Sequence, residues 1–352
     1  MYSIKNSIGE IQKSMQEHSA ELYFSLLVPE WLIPLVPEEL HHCPLEEVEK
    51  KVSLPYGLPF IAEVIVDAAN IADAIVMEHR YDFIPLWREN TGDYIPKAGA
   101  NNKESVFLVT IHEPVSDKRP AVIICPGGGY EMVAMNGEGI QVAEKMEELG
   151  YRAFVLNYRV APNQYPEPHK DVALAIKYVR ANAEYFHVDP DNLLLMGFSA
   201  GGHLCASGAA LYPEIENVLM EELEAEYPPL AQKYRGISIR PDQLSLNYPV
   251  ISFSEDYHKE SFLNLTGGRE QLRKKLSVEY QVTERYPKTF LWACEDDDVV
   301  PISNAKRMYE ALKSKGVPCK LVLYPSGGHG CCLAEGTSAE GWVDEMHQFM
   351  KS

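Results

Sequence analysis

Short apolar runs punctuate the chain from residue 107 onward: FLVTI at 107–111, AVIIC at 121–125, AFVLNY at 153–158, LLLMGF at 193–198, LSLNYPVIS at 244–252, TFLWAC at 289–294 and KLVLY at 320–324. They are rich in β-branched and aromatic residues and too short for buried helices, so they predict strands. Between several of them the apolar positions recur at helical spacing, at about 138–149, 168–184, 200–211, 302–315 and 339–350. Strands that are apolar on both faces and alternate with helices predict an α/β fold, a mostly parallel sheet with helices on both faces. Ligands of such sheets bind beyond the carboxyl ends of the strands. The residues that follow each strand therefore carry the functional information.

The texture differs before residue 80. Ile61, Val64, Ile65, Ala68, Ile71, Ala72, Ile75 and Val76 fall on one side of a helix, with Glu63, Asp67 and Asn70 on the other. Pro29, Pro34, Pro37 and Pro44 break the preceding segment into short helices and turns. The reading is an N-terminal helical extension over 1–80, acting as a cap or an interface, and an α/β domain over 81–352. Part of the extension is expected to cover the face that carries the chemistry.

Charge narrows the partners. With 32 Lys+Arg against 51 Asp+Glu the chain carries a formal −19, which argues against recognition of nucleic acid through its phosphates. No apolar run is long enough to span a membrane. The opening MYSIKNSIGE has no apolar core of a secretion signal, so a cytoplasmic location is expected. The seven cysteines lack paired metal-ligand spacing and are expected to be reduced. Oligomeric state stays open.

Four strand ends carry candidate chemistry. Gly197-Phe198-Ser199-Ala200-Gly201 follows LLLMGF and opens a small-residue helix. A serine there stands on a sharp turn with its hydroxyl exposed, and the flanking glycines supply room and φ freedom. Pro126-Gly127-Gly128-Gly129-Tyr130 follows AVIIC. It is neither a Walker loop nor a dinucleotide turn, and its best use is an oxyanion hole: amides of Gly128 and Gly129 on one side, Ala200 on the other. Glu295-Asp296-Asp297-Asp298 follows TFLWAC, and one of these carboxylates could orient a histidine. His329, framed by glycines, follows KLVLY. Serine, acid, histidine is the chain order of α/β hydrolases.

From about residue 81 to the end, the chain resembles the α/β-hydrolase esterases of the acetyl xylan esterase and xylanase-associated (BD-FAE-like) kind. The resemblance rests on CPGGGY (125–130), VLNYRVAP (155–162), GFSAGGHL (197–204), VEYQVT (278–283), DDDVVP (296–301) and YPSGGHG (324–330). It implies Ser199 as nucleophile, His329 as general base and Asp297 as the acid. It also implies hydrolysis of short, acetyl-type esters of carbohydrates, with no cofactor and no metal. The expected partner is a small-molecule or oligosaccharide ester. Serine peptidases, feruloyl-type esterases and catalytically inactive binding hydrolases share the chain order and stand as the rival readings. Tyr130 and Trp87 are expected to add aromatic surface for a sugar face, with Tyr257, His258, Phe262 and Leu263 as a pocket wall.

Overall fold

The computed structural model describes all residues except 29–31, 53–61, 93, 98–100 and 112–116. Its eight-stranded sheet runs in the order β1 (Tyr81–Pro85), β2 (Phe107–Ile111), β4 (Arg152–Asn157), β3 (Arg119–Cys125), β5 (Val188–Phe198), β6 (Gln243–Asn247), β7 (Lys288–Cys294) and β8 (Cys319–Tyr324). β2 lies antiparallel to β1 and β4, and all strands from β4 across to β8 are parallel. Each apolar run of the sequence contributes to one of the strands β2 to β8, though the runs at 153–158 and 244–252 extend beyond the ends of theirs. β1, with a single alternating turn of apolar residues at the sheet edge, was not legible as a run.

Two hydrophobic cores flank the sheet. One is formed by α1 (Ile8–Glu17), α2 (Glu21–Leu27), α3 (Leu45–Lys51), α4 (Ala62–Glu78), α5 (Val142–Glu148) and α12 (Trp342–Lys351). Trp292 of β7 and Trp342 of α12 stack there with ring centroids 5.0 Å apart. The opposite core takes α6 (Glu167–Ala181), α7 (Ser199–Ala210), α8 (Tyr212–Glu226), α9 (Pro228–Tyr234) and α11 (Ser303–Ser314). A further helix, α10 (Lys259–Thr266), follows β6 by way of a loop.

The described helices of the extension thus share a core with the sheet. Tyr23 and Leu27 of α2 and Ile75 of α4 meet Phe83, Phe107 and Val109. Outside their own segment they hydrogen-bond to the turn at 135–141: Asn136 Nδ2 donates to Val64 O at 3.2 Å and Gln141 Nε2 to Asp67 at 2.7 Å. No described residue before 80 bonds to Ser199, Asp297 or His329. Residues 53–61, which include Ile61 of the sequence pattern, lie outside the described residues.

Three local readings are corrected. The strand anticipated through residue 252 ends at Asn247, because Tyr248 takes φ 36° and turns the chain. The stretch EQLRKKL, whose composition suits a helix, forms only a 3-10 turn, Glu270–Leu272. The helix anticipated from 138 begins as a π-helical turn, Met135–Gln141, before α5. Helices α8 and α9 were not anticipated.

Candidate active site

The parallel register brings the strand ends together. Cys125 of β3 pairs with Gly197 of β5, and Cys294 of β7 with Tyr324 of β8. The four motifs consequently emerge from one edge of the sheet.

Ser199 stands between β5 and α7 at φ 50°, a left-handed conformation costly for a residue with a Cβ. The flanking glycines do not take positive φ. Their role is room: a Cβ on Gly197 would lie 2.3 Å from Gly201 O, and one on Gly201 would lie 2.1 Å from Cys125 O. The φ freedom assigned to them from the sequence is thus carried by the serine itself. The glycines let α7 press onto the ends of β3 and β5, and the surrounding packing holds the strained turn.

Ser199 Oγ lies 2.8 Å from His329 Nε2, and His329 Nδ1 lies 2.7 Å from Asp297 Oδ2. The Asp297 side chain is fully buried, and its other oxygen accepts the amides of Val299 at 3.0 Å and Val300 at 2.8 Å. Those two bonds fix the carboxylate so that its free oxygen faces the imidazole. Asp296 points elsewhere, accepting the amides of Gly328 at 2.8 Å and Gly327 at 3.3 Å, which anchors the loop carrying His329. The Gly328 amide bond chiefly holds its carboxyl below the usual range. Glu295 and Asp298 are exposed.

The glycine turn faces the serine. Gly128 (φ 121°) and Gly129 (φ 64°) occupy conformations that favour glycine, and a Cβ on Gly128 would lie 2.3 Å from Met132 O. The amides of Gly128, Gly129 and Ala200 have no hydrogen-bond partner among the described residues. Ala200 is in the first turn of α7, where no intrahelical acceptor exists. Tyr158 Oη donates to Pro126 O at 2.6 Å, and Ala161 N to Tyr130 O at 2.8 Å, so the VLNYRVAP segment braces this turn. Asn264 of α10 braces it from above, donating to Gly129 O at 2.9 Å.

The aromatic expectations need correction. Tyr130 is 0% exposed, with Oη 2.8 Å from His203 Nδ1, so its ring offers no face to a ligand. Trp87 is buried and donates to Asp171 at 2.8 Å. Phe262 is buried as well, while Leu263 is exposed. His258 caps α10, with Cε1 3.9 Å from the point a Gly129 Cβ would occupy, and burial holds its imidazole below the ordinary range.

Sequence reasoning missed Glu138 and Tyr248. Glu138 is buried in the π-helical turn, and in the sequence it stands only as the opening acid of an anticipated helix. Tyr248 directly follows β6 and was hidden by reading that strand too long. Its ring meets His329 edge-on at 5.0 Å.

Fold and site together define an α/β hydrolase. Residues 109–312 match the BD-FAE family model. The chain belongs to the BD-FAE family. Among relatives, an endo-1,4-beta-xylanase B of Butyrivibrio fibrisolvens is 31% identical over 276 residues, 76% of this chain and 41% of that protein. An acetylxylan esterase of Xylanibacter ruminicola is 30% identical, over 62% of this chain and 42% of that protein. The chain thus spans about two fifths of the length of these relatives. A crystal structure of an acetyl ester-xyloside bifunctional hydrolase from Caldicellulosiruptor lactoaceticus superposes with TM-score 0.65 at 33% identity, covering 77% of this chain and 95% of that one. Among the described residues, no helix is long and apolar enough to cross a membrane.

Proposed function

We propose that this chain hydrolyses short acyl esters of carbohydrates, acetyl esters foremost, through an acyl-enzyme formed on Ser199. The observation that carries the reading is the hydrogen-bonded line from Ser199 Oγ through His329 to Asp297.

In this mechanism His329 Nε2 takes the Ser199 proton as Oγ attacks the ester carbonyl. Asp297 holds the Nδ1–H tautomer and stabilises the imidazolium. The oxyanion sits among the amides of Gly128, Gly129 and Ala200, where loss of one donor costs about 10²–10³ in rate. His329 returns its proton to the departing alcohol. It then activates water, which releases the acid and restores Ser199.

The acetyl and carbohydrate assignment is supported by the names of the relatives, an acetylxylan esterase and an acetyl ester-xyloside hydrolase. The test is hydrolysis of p-nitrophenyl esters beside acetylated xylo-oligosaccharides and feruloyl esters. Ser199→Ala is expected to lose about 10⁴-fold or more in kcat; a variant with wild-type activity would remove the mechanism. Activity should peak at acetyl to butyryl chains on the p-nitrophenyl series. A maximum at octanoyl or longer would remove the acyl assignment alone.

A further inference from the structure

Glu138 lies at the seam between the glycine turn and the histidine loop. Its Oε2 accepts the Gly127 amide at 2.6 Å, and its Oε1 lies 2.9 Å from Tyr248 Oη. Tyr248 Oη in turn accepts the Cys332 amide at 3.2 Å, three residues after His329. One buried carboxyl therefore joins the turn before the serine to the loop after the histidine. The fit is tight: a Cβ on Gly127 would lie 2.8 Å from both Glu138 Oε2 and Ser199 Cβ.

The donor count favours the carboxylate form of this group. The Gly127 and Cys332 amides only donate. Tyr248 Oη, already accepting from Cys332, has its proton to give, and Glu138 Oε1 is the acceptor within reach. Both carboxyl oxygens then receive a donor, an arrangement that suits the carboxylate better than the acid. Burial raises this carboxyl above its ordinary range, a rise that the Gly127 amide, His329 and Tyr248 oppose only in part. The groups facing it are His329, Tyr248, Tyr158 and the thiols of Cys331 and Cys332. Of these only His329 becomes a cation. His329 itself is faced by Asp297, Tyr248, Glu138 and His258.

We propose that Glu138 is a positioning residue of this site, a buried carboxylate that clasps the glycine turn to the histidine loop and stabilises the imidazolium formed at His329. The proposal rests on the Ser199 mechanism above. Without the charge at 138, protonated His329 is less stable. The acid limb of kcat/KM, which follows that protonation in the free enzyme, then moves to lower pH. A purely structural contact would lower the rate at every pH and leave the limb in place.

The experiment is the pH dependence of kcat/KM for p-nitrophenyl acetate in wild type, Glu138→Gln and Tyr248→Phe. A fluorophosphonate labelling map of Ser199 is made in parallel. Glu138→Gln, which is isosteric, should lose about tenfold or more in kcat with KM little changed, and its acid limb should fall by about one pH unit. Tyr248→Phe leaves the carboxyl one donor short, so it takes up a proton more readily and moves the limb the same way by less. Should Glu138→Gln not accumulate folded, the Tyr248→Phe limb decides. Wild-type kinetics, or a lower rate with an unmoved limb, would overturn the proposal. A label that misses Ser199 in wild type would instead overturn the mechanism beneath it.

Discussion

His203 links stability to pH in the core beneath the site. It lies on α7 one turn after Ser199 and is 0% exposed. Its Nε2 is 2.7 Å from Leu276 O, a carbonyl that can only accept, so Nε2 carries the proton. Nδ1 then accepts from Tyr130 Oη at 2.8 Å, and the ring lies 4.3 Å from Phe253. Burial moves this imidazole from its ordinary 6.5 down to about 4, opposed only in part by the Leu276 carbonyl. As pH falls, the unfolded chain binds the proton first while the native ring stays neutral. Stability due to His203 is therefore complete above about pH 6.5 and drains away towards pH 4, by about 3 kcal/mol. His169, also depressed mainly by burial, works in the same direction. The assay is urea unfolding of wild type and His203→Gln at a series of pH values from about 7 to about 4. Gln can serve as both donor and acceptor without titrating there, so the variant should lose about 3 kcal/mol less than wild type over that range. Equal losses in the two proteins would refute the reasoning.

Three further substitutions test the site and its support. Asp297→Asn should lower kcat by about 10³–10⁴-fold with KM little changed, because it disturbs the tautomer and the charge at His329. Asp296→Asn, which touches only the loop amides, should cost about tenfold or less; equal losses would dissolve the distinction drawn between these neighbours. Arg159→Met should strand the fully buried Asp171, which accepts from Arg159 Nη2 at 2.7 Å, the Arg159 amide at 2.9 Å and Trp87 at 2.8 Å. A loss of about 3–5 kcal/mol in urea unfolding is expected. A loss below about 1 kcal/mol would show that water or a shifted side chain replaces the guanidinium.

Legibility followed the range of the interactions involved. The strands from β2 to β8 could be read because burial on both faces demands continuous apolar residues. Ser199 and His329 could be read because each sits in a glycine-marked turn directly after such a strand. The edge strand β1 shows no continuous run; α8, with many acidic positions, blurs into polar surface, and α9 is a single short helix that opens on two prolines. Tyr130 was misread for a different reason. An aromatic residue in a glycine turn has the same sequence signature whether its ring faces outward or inward, and here a hydrogen bond to His203 draws it inward.

What the amino-acid order alone determined is the alternation of strand and helix, the places where the chain turns sharply, and the types of group standing at those turns. Those are local consequences of periodicity, glycine and strand length. The family resemblance pointed to Asp297, but residue type and position alone do not separate it from Asp296, which is adjacent and chemically identical; the physical reason for the choice lies in the tertiary structure. Their roles part because the amides of Val299 and Val300 fix one while those of Gly327 and Gly328 capture the other. The same holds for Glu138, an ordinary helix-start acid in sequence. Its place between Gly127 and Tyr248 exists only because strands far apart in the chain end side by side.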